Sequence, residues 1–200
     1  GSVWKVLFSM GVLFAVTALL LGQITAATGL QPSAGVAFGT LLGLGSFTTY
    51  SWVTQFDSAD EYLRYPVSVA TVLAAKRRAY LLLSVPAGLV YLAIAAVWYD
   101  PVALASGLVV LPLLSVYVFG VTAFVAGLSP TELLFDTPRF LAFGAALSVV
   151  AMPLLVAALV EPAFGPGATV AAVALAAVAA VVGLVLQRRA GPRWERRLRA

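Results

Sequence analysis

Charged side chains in this chain stand in a few clusters, and the stretches between the clusters are long and apolar. No charged residue occurs in Val6–Phe56, Ala79–Tyr99 or Phe140–Val160. A helix of about 20 apolar residues is long enough to cross the hydrocarbon core of a bilayer. Charged residues make up 10% of the chain, whereas a soluble domain carries about 25%. The pattern therefore predicts an integral membrane protein.

The apolar runs do not alternate with polar residues, which favours helices over the strands of a membrane barrel. Gln31-Pro32-Ser33 divides the first run. The turn residues Asp100-Pro101 separate two later runs, and Glu161-Pro162 with Gly165-Pro166-Gly167 form the turn before the last one. We expect an all-α membrane protein, a polytopic bundle of six transmembrane helices with short cytoplasmic coupling helices. It forms a single domain over residues 1–200, with spans near 3–23, 34–53, 79–98, 102–124, 139–160 and 167–187 and a basic cytoplasmic tail over 188–200.

The first apolar run is expected to be a retained span. The chain opens on Gly1-Ser2 rather than on methionine, as expected of a cloning remnant or an internal start. A cleaved signal peptide would end in a small-residue cleavage site, and the run has no clear one. Three later spans contain Pro86, Pro112 and Pro153. Membrane helices tolerate such prolines, so they predict kinks and not breaks.

Lysine and arginine are retained on the cytoplasmic side of a membrane. With six spans, all 12 basic residues fall on the side of the two termini, and the opposite side carries only Asp100 and Glu161. We therefore expect a multi-pass protein of the cell (plasma) membrane with both termini cytoplasmic. The net charge of +4 is explained by retention charge and attraction to anionic lipid, and no nucleic acid partner is expected.

Several kinds of chemistry are disfavoured by composition. The chain has no cysteine and no histidine, which excludes thiol chemistry and removes the commonest general base. No charged residue lies near the middle of an expected span. Ion-driven carriers usually need a carboxylate or histidine there to hold the ion, so a self-powered carrier is disfavoured.

One acidic cluster, Asp57, Asp60 and Glu61, follows the second span. Carboxylates at this spacing share a helix face and can hold Mg²⁺, which leaves a magnesium-dependent membrane lipid or prenyl transferase as an alternative. Ser58-Ala59-Asp60-Glu61 is also a capping box, with serine at the N-cap and glutamate three residues later. We favour capping, and expect no metal site, because the second aspartate-rich motif of such transferases is missing from the sequence.

The two long inner loops each contain the start of a short helix. The capping box at Ser58 begins one that Pro66 ends near Tyr65. Ser129-Pro130-Thr131-Glu132 is a second capping box with proline at the first helical position. Ser68 and Asp136 are expected to cap the helices that follow. Short capped helices with aromatic side chains suit docking to a soluble partner or a position in the lipid interface.

The segment Leu63-Arg64-Tyr65-Pro66-Val67-Ser68, followed by Lys76, resembles the coupling region of permease subunits of ABC-2 type transporters. The resemblance implies six spans, both ends inside, and a coupling helix that seats in an ABC-type ATPase subunit. It also implies pairing with a second six-span unit, identical or similar. The sequence departs from the family in its short outer loops and in having only Gly1–Lys5 before the first span.

The resemblance implies that this chain is the membrane permease subunit of an ATP-driven exporter and not an enzyme. No phosphate-binding loop of the Walker type occurs in the sequence, so ATP and Mg²⁺ belong to the partner ATPase and this chain needs no cofactor. The implied ATPase-coupling residues are Glu61, Tyr62, Arg64, Tyr65, Pro66 and Glu132.

Two further features of the second span have alternative interpretations. Thr48, Thr49 and Tyr50 line a pathway entry or belong to an interfacial belt. The glycines 35, 39 and 43 allow close helix contact, and packing within the bundle is favoured over a subunit interface. A non-catalytic membrane scaffold with the same topology is the third functional hypothesis.

Overall fold

The computed structural model describes residues 3–54, 68–128 and 136–198, and in these ranges it contains helices and no strand. The helices are α1 (Val3–Thr28), α2 (Ala34–Gly45), α3 (Phe47–Val53), α4 (Val69–Ala95), α5 (Pro101–Val125), α6 (Thr137–Phe164) and α7 (Pro166–Leu198).

Five of the described helices, α1, α4, α5, α6 and α7, are long and apolar enough to cross a membrane. Their apolar segments run from 25 to 31 residues, with mean hydropathy between 1.6 and 2.7. Such lengths exceed the roughly 20 residues that a bilayer core requires. The expectation of an all-α, multi-pass membrane protein is confirmed.

The segment expected to form the second span is divided. Residues 34–53 form α2, with 12 residues, and α3, with 7 residues, on either side of Ser46. The Ser46 amide donates to the Gly43 carbonyl oxygen at 3.3 Å, a step of three residues instead of the four of an α-helix. Neither piece alone reaches the length of a membrane span.

Two helices extend beyond the expected membrane spans because polar residues continue them, and the start of the first of these follows the expected cap at Ser68. α4 begins at Val69, so Lys76, Arg77 and Arg78 lie inside its first turns. α7 runs on through Arg188 to Leu198, which makes the described part of the expected tail a rigid extension of the last helix. Arginine, alanine and leucine are good helix formers, and they outweigh Gly191 and Pro192, the two residues in 188–198 that oppose the helix most.

Pro162 was expected in a turn, yet it lies inside α6, which continues to Phe164. A proline in a helix leaves the carbonyl four residues earlier without its usual donor. Here that carbonyl belongs to Ala158, and the Ser33 amide donates to it at 2.8 Å. The turn falls at Gly165, in the Gly165-Pro166-Gly167 part of the expected turn, where φ is +62°. Helices α4, α5 and α6 likewise continue through Pro86, Pro112 and Pro153, as expected.

The bundle has two chemically different ends. At the basic end, α1, α4 and α6 begin and α3, α5 and α7 end, and every described lysine and arginine lies in the helix turns near this end. At the acidic end lie Asp100 and Glu161. The four tryptophans, at positions 4, 52, 98 and 194, all lie near one end or the other, as in the aromatic belts of membrane proteins.

Helix α2 lies at the centre, with 10 of its 12 residues buried. Its glycines pack on α5: a Cβ added at Gly35 would lie 2.4 Å from the Ala103 carbonyl oxygen, and one at Gly39 would lie 3.0 Å from the Gly107 Cα. The prediction that this glycine face packs within the bundle is confirmed.

Helices α5 and α7 also touch through their backbones. A Cβ on Gly120 would lie 2.0 Å from the Gly183 carbonyl oxygen. Contacts this close allow no side chain between the helices, so dispersion and backbone packing hold them together.

Replacing Gly120 with valine should destabilise the bundle by about 3 kcal/mol or more, because backbone at the contact cannot move aside as a flexible side chain would. Unfolding in mixed micelles, followed by helical circular dichroism, measures the change. Gly144→Val is the matched control, since nothing lies within 4 Å of a Cβ at Gly144. Equal stability of the two variants would contradict the close contact.

Candidate functional site

The implied coupling residues, Glu61, Tyr62, Arg64, Tyr65, Pro66 and Glu132, lie outside the described residues, as do the acidic cluster and both capping boxes. What the structure does describe is a frame of four helix ends, those that precede and follow the two inner segments 55–67 and 129–135 in the chain. That frame consists of the ends of α3 and α5 and the starts of α4 and α6. All four lie at the basic end.

Both predicted caps of the frame are present. The Ser68 hydroxyl accepts from the Thr71 amide at 3.2 Å, and an Asp136 carboxylate oxygen accepts from the Arg139 amide at 3.2 Å. Asp136 also forms an ion pair with the Arg139 Nε, at 2.7 Å. An acceptor at the N-cap satisfies amides that have no partner within the helix. The first turns of α4 and α6 are therefore each stabilised by a capping side chain.

The end of α3 is tied to two other helices. The Lys76 ammonium on α4 donates to the Val53 carbonyl oxygen at 3.0 Å, where a cation also complements the helix dipole. The buried Tyr50 hydroxyl donates to the Gly127 carbonyl oxygen. Gly127, with φ of +62°, ends α5 in the left-handed conformation usual for a helix C-terminus.

The tail of α7 reaches the frame from the other side. The Trp194 indole lies against Gly127, where an added Cβ would be 2.5 Å from the ring, and its Nε1 donates to the Ala123 carbonyl oxygen at 3.0 Å. The Glu195 carboxylate accepts from the Val69 amide at 2.9 Å. One helix end thus holds the last turn of α5 and the first turn of α4.

Arginines extend the same contacts. The Arg193 guanidinium lies 4.4 Å from the Phe124 ring centroid, within the range of a cation–π interaction. Arg77 donates to the Gln187 amide oxygen at 2.9 Å. Through these contacts the α7 tail connects the end of α5 with the start of α4.

The expected pathway residues face neighbouring helices. The Thr48 hydroxyl lies 2.8 Å from that of Ser9 on α1, and Tyr50 packs its ring on Phe119 with centroids 5.3 Å apart. Thr49 is fully buried, and its hydroxyl has no partner among the described residues. The cavities described below are lined by other residues, and a role in a pathway stays a prediction.

A cavity of about 690 Å³ opens at the acidic end, between the end of α1 and the starts of α2 and α5. Trp98, Tyr99, Asp100 and Glu161 line it together with other, uncharged residues. Burial raises the pKa of Tyr99 above its ordinary value, so its phenol stays protonated and can donate. The Glu161 carboxylate accepts from the Thr169 hydroxyl and also borders a second cavity of about 360 Å³. Volumes of this size accommodate a small ligand.

Within the described ranges, no group of three acidic, histidine or cysteine side chains converges on a possible metal position. The structure therefore adds no metal candidate to the cluster at Asp57, Asp60 and Glu61, which lies outside those ranges. Sequence reasoning missed the contacts of Trp194 and Glu195. The available sign was an aromatic and an acidic residue standing among the arginines of a basic tail.

The chain matches no protein-family model, no curated protein and no solved structure. The functional assignment therefore depends on the contacts of the chain itself.

Replacing Glu195 with alanine should loosen the first turn of α4, because the Val69 amide loses its acceptor. Loss of such a cap costs about 1 kcal/mol, which corresponds to a roughly fivefold faster amide exchange at 69–71. Hydrogen–deuterium exchange of the protein in nanodiscs measures it. Arg196→Ala is the control, since the Arg196 side chain is exposed and bonds only within its own helix among the described contacts. Unchanged exchange in Glu195→Ala would show that the hydrogen bond from Val69 to Glu195 does not stabilise the first turn of α4.

Proposed function

We propose that the chain is the membrane permease subunit of an ATP-driven, ABC-2 type exporter, coupled to a separate ATPase through its cytoplasmic loops. The observation that carries the proposal is the frame at the basic end. Both inner segments leave from helix ends that Trp194 and Glu195 join. Such a link suits a permease driven by a soluble ATPase, because a movement of one contact segment would then reach the other.

The proposed topology has six spans, with α2 and α3 together forming the second. Ser46 keeps right-handed helical dihedrals, with φ of −59° and ψ of −17°, so the chain continues in one direction through the junction. Residues 34–53 then rise about 30 Å, the thickness of a bilayer core. Because basic residues are retained on the cytoplasmic side, the proposed orientation has the basic end and both termini facing the cytoplasm at the cell (plasma) membrane.

The energy source in this proposal is outside the chain. ATP and Mg²⁺ are bound by the partner ATPase, which docks on Glu61, Tyr62, Arg64, Tyr65, Pro66 and Glu132. Thr48, Thr49 and Tyr50 lie beside the inner opening of a pathway that a second six-span unit completes. The exposed arginines of α7 face anionic lipid headgroups, which attract juxtamembrane cations.

The acidic-end cavity supports transport over the scaffold hypothesis. A scaffold needs no cleft along the second and fifth spans, whereas the cavity of about 690 Å³ is bordered by Ala34 at the start of α2 and by Glu161 near the end of α6. A transport protein needs a space of this kind on the side away from the motor.

A P-loop ATPase should co-purify with the unaltered chain and be lost from the double variant Arg64→Glu, Tyr65→Ala. The interface loses the aromatic ring of Tyr65, and the new carboxylate at position 64 either faces a negative charge or lacks a partner. The measurement is ATP hydrolysis and mass-spectrometric identification of the purified complex. Arg189→Glu, an equal change of charge at an exposed position, serves as control. Retention of the ATPase and of transport by the double variant would refute the proposal, and loss of a diphosphate-dependent activity in Asp60→Asn would support the transferase instead.

Six spans place both termini on one side. The chain has no cysteine, so single cysteines can be introduced without background. Trp4→Cys and Arg196→Cys should be protected from an impermeant maleimide in intact cells, and Leu30→Cys should react. Labelling of one terminus alone would mean that α2 and α3 do not cross the membrane.

A further inference from the structure

The two carboxylates of the acidic end line the same cavity. Asp100 and Glu161 both border the space of about 690 Å³. Glu161 also borders the space of about 360 Å³, and Ala103 is a second residue that lines both. The two spaces are therefore neighbours, and both acidic side chains at this end of the bundle contribute to their walls.

No lysine or arginine is described near these carboxylates to balance their charge. The nearest basic residue in the sequence is 22 positions away in each case, Arg78 for Asp100 and Arg139 for Glu161. Along α6, this spacing corresponds to about 33 Å, well beyond the screening length of about 8 Å at physiological salt. Helices α1, α4 and α6 end here and α2, α5 and α7 begin, so their dipoles compensate one another. The described part of the cavity is therefore negatively charged.

Both carboxylates are held in place and can still accept a ligand. Asp100 accepts from the Val102 amide at 3.0 Å as the N-cap of α5, and Glu161 accepts from the Thr169 hydroxyl. A carboxylate has about four lone-pair positions, so these bonds leave capacity on both groups. The negative charge of the cavity is thus positioned by the fold and accessible to a cation.

Two aromatic rings lie in the wall beside Asp100. Trp98 packs on Phe14 with ring centroids 6.2 Å apart, and Tyr99 packs edge to face on Phe38 at 5.4 Å. The Trp98 side chain is still 67% exposed, so part of its ring surface is open to a ligand. Aromatic faces attract cations within about 6 Å of the ring centroid. Rings and carboxylates in one wall therefore favour the same kind of ligand.

The lining suits an organic cation better than a metal ion. Magnesium and calcium require about six to eight oxygen ligands, and no group of three acidic, histidine or cysteine side chains converges within the described ranges. Apolar groups of Leu21, Pro32 and Ala34 form other parts of the wall. A volume of about 690 Å³ is in the range of sites for small organic ligands.

We propose that the cavity at the acidic end is a binding site for a small organic cation with an apolar body, such as a quaternary ammonium or phosphonium ion. Asp100 and Glu161 supply the opposite charge, Trp98 and Tyr99 contact the cation with their rings, and the apolar wall covers the body of the molecule. Binding is a property of this chain alone. Only the further step, that the bound cation is the exported cargo, rests on the proposed function.

Equilibrium dialysis of tetraphenylphosphonium against the purified full chain tests the site. The chain is held in micelles of an uncharged maltoside detergent, and empty micelles give the background. Tetraphenylborate, which has the same shape and the opposite charge, is the matched control ligand. The chain should bind the cation saturably and the anion not at all. Equal binding of the two ions, or saturable binding of neither, would overturn the proposal.

Substitutions in the cavity should change the affinity in both directions. Asp100→Asn keeps an acceptor at the N-cap, Glu161→Gln keeps one for Thr169, and each should weaken binding of the cation about fivefold. Gln31→Glu adds a carboxylate to the lining and should tighten binding by a similar factor, a gain that a damaged fold would not produce.

Arg189→Gln is the matched control for Gln31→Glu. It makes the same change of net charge at an exposed position of the basic end and should leave the affinity for tetraphenylphosphonium unchanged. Equal tightening in the two variants would overturn the site, because net charge alone would then explain the binding.

A free cation and the choline headgroup of a lipid share the proposed chemistry, and phosphatidylcholine added to the micelles distinguishes them. Displacement of tetraphenylphosphonium by the lipid would assign the site to a headgroup, and binding that persists would assign it to a free molecule. The exporter is tested separately. Cation binding by a chain that co-purifies with no ATPase would support the site and contradict the exporter, whereas an ATPase on a chain that binds no cation would do the reverse.

Discussion

Close backbone contact along α5 is the constraint on which the rest of the bundle depends. One face of α5 receives α2 near Gly107, and the next stretch receives α7 at Gly120. In lipid there is little hydrophobic gain from bringing apolar helices together, so close packing must supply the stabilisation of the bundle. The glycine contacts fix α5 on both sides. The segments that follow them in the chain, α3 after α2 and the tail of α7, form the polar contacts at the basic end.

Polar groups freed inside this bundle find partners from other elements. Pro162 deprives the Ala158 carbonyl of its helical donor, and the Ser33 amide, which begins the second apolar segment, supplies one. The Trp194 indole does the same for the Ala123 carbonyl near the end of α5. An unpaired backbone group in hydrocarbon is costly, so each of these bonds also fixes the position of one element relative to another.

The sequence was sufficient for the long helices and for the caps. Gaps between charges located α1, α4, α5, α6 and α7, because a bilayer sets a length that a charge cannot interrupt cheaply. Ser68 and Asp136 were predictable, since a cap is a local interaction. The division at Ser46 was not, since serine is no strong helix breaker and the hydrogen bond that Ser46 accepts from Tyr80 joins residues 34 positions apart. Nor was the α7 tail, whose arginines indicate a cytoplasmic end but not the partners of Trp194 and Glu195. The six coupling residues remain predictions.

The bond between Glu195 and Val69 has a consequence for how the protein is made. The two residues are 126 positions apart in the chain, and a ribosome adds roughly 5–20 residues per second. The Val69 amide therefore waits many seconds after its own synthesis before its acceptor exists. The first turn of α4 is therefore completed only after the α7 tail has been translated, and the order of synthesis separates the folding of α4 from the formation of the contact that holds its start.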